Sequence, residues 1–268
     1  MALNNPAFAN SPAFNGRGVP AIPTPTPDQL QQQFNLPSAP ERVSEPMTYD
    51  GTVRISLLNF AVMLVSAGAG WILGGAIPFL FIGAMIAGLV LGLVNTFKKE
   101  PSPGLILGYA VAQGVFVGAI SMFFEFMFPG IVGQAVLATF AVVGVTLFLF
   151  MNGKVRASAR ATKIFLIVMV GYGVFSLINL IGVWTGMNDN PFGMRGSVEL
   201  FGIPLGVILG VLAVVLGAYS LVLDFDFVQR GVRNSVDKKY QWTAAFGILM
   251  TVIWLYVEIL RMIAITRE

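Results

Sequence analysis

Seven stretches with little or no charge, each close to the roughly 20 residues a helix needs to cross a bilayer core, leave this chain few ways to fold. They run Ile55–Leu73, Ile77–Phe97, Leu105–Phe128, Ile131–Met151, Ile164–Trp184, Phe201–Leu223 and Trp242–Ile265. Charged residues are 11% of the sequence and hydrophobic ones 56%. Soluble domains carry about 25% charged residues, so the composition agrees with the spans. The expected fold is an all-α integral membrane protein of seven transmembrane helices. Only Gly74–Ala76 joins the first two spans, which predicts a tight antiparallel hairpin.

Residues 1–50 form a different regime. The run PAIPTPTPDQLQQQ and the lack of any apolar period predict a disordered cytoplasmic tail, with the membrane domain over residues 51–268. Basic residues set the orientation. Lys98, Lys99, Lys154, Arg156, Arg160, Lys163, Arg230, Arg233, Lys238 and Lys239 fall on one side, and the other side's loops hold only Arg195, with Arg267 at the chain end. That asymmetry puts the N-terminus in the cytoplasm and the C-terminus outside. It also explains the pI of about 9.3 without a nucleic-acid partner, because these cations sit beside the lipid bilayer.

The chain contains no cysteine and no histidine. Disulfides, thiol catalysis and sulfur-ligated metals are excluded, as is the usual pH switch. The common nucleophile–base pairs cannot be assembled, so neither an enzyme nor a cofactor is expected, and the metal question stays open. Proton sensing falls to buried carboxylates.

The sixth span supplies the best of these. Gly202, Gly206 and Gly210 recur every fourth residue, Gly217 follows, and Asp224 lies eighteen residues beyond Gly206. At 3.6 residues per turn that is about five whole turns, so Asp224 continues the glycine face, on which a neighbouring helix packs closely. Asp226 is rotated by about 200° and points away. Burial of Asp224 would favour its neutral form and make it a proton switch. Other intramembrane candidates are Glu258, Arg261, Glu125 and Gln113, with Asn59 and Asn179 read as helix–helix hydrogen-bond partners. Glu258 and Arg261 are three apart and can pair along one helix. Glu125 stands near the outer end of its span, within reach of interfacial water. Glycine pairs four apart (Gly70/Gly74, Gly88/Gly92, Gly104/Gly108, Gly114/Gly118) point to close helix packing.

Four stretches together carry a resemblance: FKKEPSPGLILGYAVAQGVFVGAIS, ATKIFLIVMVGYGVFSLIN, SLVLDFDFVQRGV and KKYQWTAAFGILMTVIWLYVEILRMIA. From about Pro46 onward the chain resembles bacterial members of the Bax inhibitor-1/YccA-like family. The resemblance implies a seven-helix fold with the last helix central. It also implies a pH-sensitive calcium leak gated by aspartates on the sixth and seventh spans, in a bacterial plasma membrane. Some bacterial relatives instead modulate a membrane-bound protease. Asp224 matches the sixth-span aspartate best and Asp226 is the other possibility. The seventh-span aspartate falls near Met250 or Thr251, neither acidic. The family's second-span arginine has no counterpart, and Gln113 stands where relatives often carry an acid. Glu258 is expected about 20 Å from Asp224 in depth. Two functions are therefore weighed: a proton-modulated cation leak, and a non-conducting regulator of membrane proteins.

Overall fold

The computed structural model describes residues 26–28, 31, 45–77, 79–187 and 190–268. The chain divides into two units, Met1–Val43 and Ser44–Glu268. Of the first, only residues 26–28 and 31 are described, so the predicted tail lies almost wholly outside the described residues.

The second unit contains α1 (Tyr49–Gly74), α2 (Leu80–Phe97), α3 (Pro103–Met127), α4 (Ile131–Met151) and α5 (Ala159–Trp184). A one-turn helix α6 (Met194–Ser197) and a two-residue hairpin, β1 (Glu199–Leu200) with β2 (Ile203–Pro204), precede α7 (Leu205–Arg233) and α8 (Tyr240–Arg267). The seven long helices are each apolar enough to span a membrane, so the chain is an all-α multi-pass membrane protein.

Local chemistry moves several span ends from their expected places. Thr48 Oγ1 accepts from Gly51 N at 3.0 Å, and Ser158 Oγ accepts from Ala161 N at 3.3 Å, so α1 and α5 start earlier. α7 starts later than Phe201 because Phe201 and Gly202, at φ +57° and +78°, form the β1–β2 turn. Gly202 therefore leaves the helical glycine face. α7 then runs on to Arg233. The domain also takes in residues before 50: Met47 is buried against Val228 and Ala244, and its amide donates to Val236 O at 2.7 Å.

α8 lies at the centre, with Ala245, Leu249, Leu255, Leu260 and Ala264 fully buried against α1, α3, α4 and α7. The expected α1–α2 hairpin does not form the main contact; α1 and α2 both pack on α3 instead. A side chain at Gly118 would strike the backbone of Ala67 and Trp71, and one at Gly114 the backbone of Met63, so these two residues let α1 and α3 approach backbone to backbone. Gly88 and Gly92 likewise accommodate Gln113 and Tyr109 of α3, whereas Gly104 faces open space.

Candidate functional site in the α7–α8 seam

α7 and α8 run antiparallel in a fixed register. Gly206 meets Ile265, Gly210 meets Met262, Gly217 meets Leu255, and Asp224 meets Gly247. The eighteen residues from Gly206 to Asp224 along α7 are matched by the eighteen from Ile265 back to Gly247 along α8. The predicted glycine face is therefore the α8-binding face from Gly206 onward, and Asp224 lies on it.

Thr251 Oγ1 donates to Asp224 Oδ2 at 2.7 Å, and Ser220 Oγ lies 3.2 Å from the same hydroxyl. The other carboxylate oxygen, Oδ1, occupies the space left by the missing side chain of Gly247. Thr251 is one of the two residues to which the resemblance assigned the second acid. Here it is a neutral hydroxyl donor.

Asp226 does point elsewhere, as its phase requires, and is ion-paired there. It pairs with Arg230 at 2.5 Å, its side chain only 18% exposed, in a groove with Ser158, Thr162 and Lys163. Glu125 caps the start of α4, accepting from Gly130 N at 2.6 Å and Val132 N at 3.0 Å. Gln113 lies against Gly88. Asn59 is fully buried and donates to Ile55 O at 3.0 Å along its own helix.

Glu258 pairs with Arg261, as the three-residue spacing predicts. Its second partner was not foreseen. Arg195, read from sequence as a loop cation, is 2% exposed and contacts Glu258 at 3.5 Å. Arg195 also donates to Tyr172 OH at 3.0 Å and Ser176 Oγ at 2.6 Å, with its guanidinium 5.1 Å from the Tyr172 ring centre. Asn179 explains how a connecting loop reaches this depth. Its amide donates to Phe192 O at 3.0 Å and its carbonyl accepts from Met194 N at 2.7 Å, fixing the turn that carries Arg195. Gly193, at φ +62°, passes against Asn179 where no side chain would fit. Tyr172, Ser176 and Asn179 stand at intervals of four and three on span five, a polar stripe that could have signalled a buried partner.

A cavity of about 690 Å³ joins the two centres. Ser220 and Thr251 line it beside Asp224, and Tyr172, Ser176, Glu258 and Arg261 line it at the far end. Because Asp224 lies opposite Gly247, Glu258 is about 16 Å from it in depth, somewhat less than the 20 Å expected from the span ends, and about 10 Å from Thr251 along α8. Among the described residues no three or more carboxylates come together as a metal site.

This architecture defines a seven-span membrane protein with a carboxylate-bearing central seam. A family model described as "Bax inhibitor 1 like" matches residues 5–268, and the chain belongs to that family. The match begins well before Pro46, where the sequence resemblance was placed. No curated protein was found to match the chain.

Proposed function

We propose that this protein is a passive, proton-modulated cation leak, with Asp224 as the gate at the lysine- and arginine-rich end and calcium as the ion favoured by the family resemblance. It performs no catalysis in this reading. It resides in a bacterial plasma membrane with its basic end and N-terminus cytoplasmic and its C-terminus external, following the distribution of Lys and Arg. The observation that carries the reading is the setting of Asp224: half-buried in the central seam, hydrogen-bonded to neutral Thr251, and next to a mostly apolar cavity that Ser220 and Thr251 line beside it. A protonated Asp224 fits this seam without charge. Once ionised it introduces a charge that must gain a cation or part the helices.

Calcium flux into liposomes containing only this protein, measured at several pH values, tests the proposal. Flux should rise with pH in wild type. Asp224→Asn, which fixes the uncharged form, should make flux nearly independent of pH. Asp226→Asn should keep the pH response, because Asp226 is paired with Arg230 outside the seam. Absence of flux at every pH would replace the leak with the second reading, a non-conducting regulator of a membrane partner such as a protease.

A further inference from the structure

The buried cluster at the far end of the cavity carries an excess of positive charge. Among the described residues it holds two guanidinium groups, Arg195 and Arg261, and one carboxylate, Glu258. The two arginines differ in how well they are satisfied. Arg195 is closed in, bonded to Tyr172, Ser176 and Glu258, and does not line the cavity. Arg261 has Glu258 as its one partner among the described residues, its side chain is 28% exposed, and it lines the cavity. A guanidinium offers five N–H donors, so the pair with Glu258 leaves Arg261 with donors for which no protein acceptor is found among the described residues. A staple for the α6 turn needs only Arg195 and Glu258; Arg261 adds a charge that such a staple does not use.

That charge lies deep. Arg261 is about 11 Å from the midpoint of α8, inside the roughly 15 Å half-thickness of a hydrocarbon core. An unbalanced charge there costs at least about 2.5–3.5 kcal/mol. α2 lines the cavity with the exposed Leu89 and Leu93, α5 lines it with Met169 and Gly173, and these two helices make at most marginal contact with each other, which leaves a lateral mouth between them. Apolar walls, one free fork of donors and a lateral mouth together describe a site for an amphiphile.

We propose that Arg261 and the adjoining cavity bind an oxyanion, the phosphate of an anionic phospholipid, whose acyl chain lies between α2 and α5. The anion brings the cluster to neutrality, and a planar guanidinium suits phosphate oxygens in a bidentate pair. The volume of about 690 Å³ falls within the range usual for small-ligand sites. A lipid phosphate and free phosphate share this chemistry, and the test separates them.

The experiment uses the full-length protein in neutral detergent. Retention of phosphatidylglycerol against diacylglycerol of the same chains, which lacks the phosphate, is read by native mass spectrometry, and inorganic phosphate is tested by thermal stabilisation. Wild type should retain phosphatidylglycerol at least about tenfold over diacylglycerol, the scale of one charge-assisted pair. Arg261→Gln should abolish the preference, while Arg230→Gln, at the opposite end, should keep it. Leu93→Trp, which fills the lateral mouth, should lower lipid retention in a folded protein. Stabilisation by inorganic phosphate that Arg261→Gln removes, without lipid retention, keeps the oxyanion site and overturns the lipid source. Equal behaviour of wild type and Arg261→Gln towards both probes overturns the site. Should Arg261→Gln fail to fold, an undiminished phosphatidylglycerol preference in Leu93→Trp overturns the lipid.

Discussion

Glu258→Gln should destabilise this protein more than removal of either arginine beside it. Glu258 is the single carboxylate between two guanidinium groups, and it is 4% exposed. Glutamine keeps the shape and one acceptor oxygen but leaves Arg195, itself 2% exposed, as a buried cation with only neutral partners. Breaking a buried pair in this way costs about 3–5 kcal/mol. At about 2–4 °C per kcal/mol for a domain of this size, melting should fall by about 6–20 °C. Arg195→Gln leaves Glu258 paired with Arg261 and loses mainly the bonds to Tyr172 and Ser176, a cost of about 1–3 kcal/mol. Arg261→Gln removes one partly exposed ion pair but also the excess charge of the cluster, so its melting should stay close to wild type or rise. The double variant Glu258→Gln with Arg261→Gln should recover part of the Glu258→Gln loss, because one stranded cation goes with it. Thermal unfolding in a single detergent gives all four values. A Glu258→Gln protein that melts with wild type would refute the reasoning, since it would mean that Arg195 does not depend on this carboxylate.

Three further outcomes follow from packing and topology. Gly118→Leu should destabilise by several kcal/mol, because its neighbours are the backbone of Ala67 and Trp71, whereas Gly133→Leu faces open space and should be nearly neutral; melting of the two variants in detergent compares them. Gly210→Leu, which collides with Met262, should lose more stability by the same assay than Val211→Leu, on the 55% exposed flank of α7. A reporter inserted in the connection before α5, near Lys154, should be cytoplasmic and one at the C-terminus external; finding both on one side would contradict an odd number of spans.

The parts of this fold legible in the sequence are those set by period and by length. Spans announce themselves because a bilayer demands about 20 apolar residues, and the phase of Asp224 follows from the glycines before it. Partner choice was not legible in the same way. Gly70/Gly74, Gly88/Gly92 and Gly114/Gly118 share one spacing, so nothing local says that α1 docks on α3 and not on α2. Arg195 was hidden for a different reason. Its depth comes from Asn179, on another helix, tying down the backbone of Phe192 and Met194. The turn itself reads as an ordinary polar loop. Met47 was missed likewise, because one apolar residue in a polar segment has no period to betray its burial under Gly231.

The two centres share one cavity, and their charges are opposite in sign. In the leak proposed above, a cation crossing from the basic end would meet Asp224 first and then, about 10 Å beyond Thr251, a cluster holding two arginines against one glutamate. At that separation a unit charge acts with about 1.7 kcal/mol at an effective dielectric of 20, enough to slow passage by more than tenfold. In that reading the excess positive charge would oppose cations at the far end, as the closed Asp224–Thr251 seam would at the near end. An oxyanion at Arg261 would cancel the excess and remove that barrier without any helix moving. On the two proposals together, site and gate would act in series, Asp224 answering to protons at one end and the arginine cluster to an anion at the other.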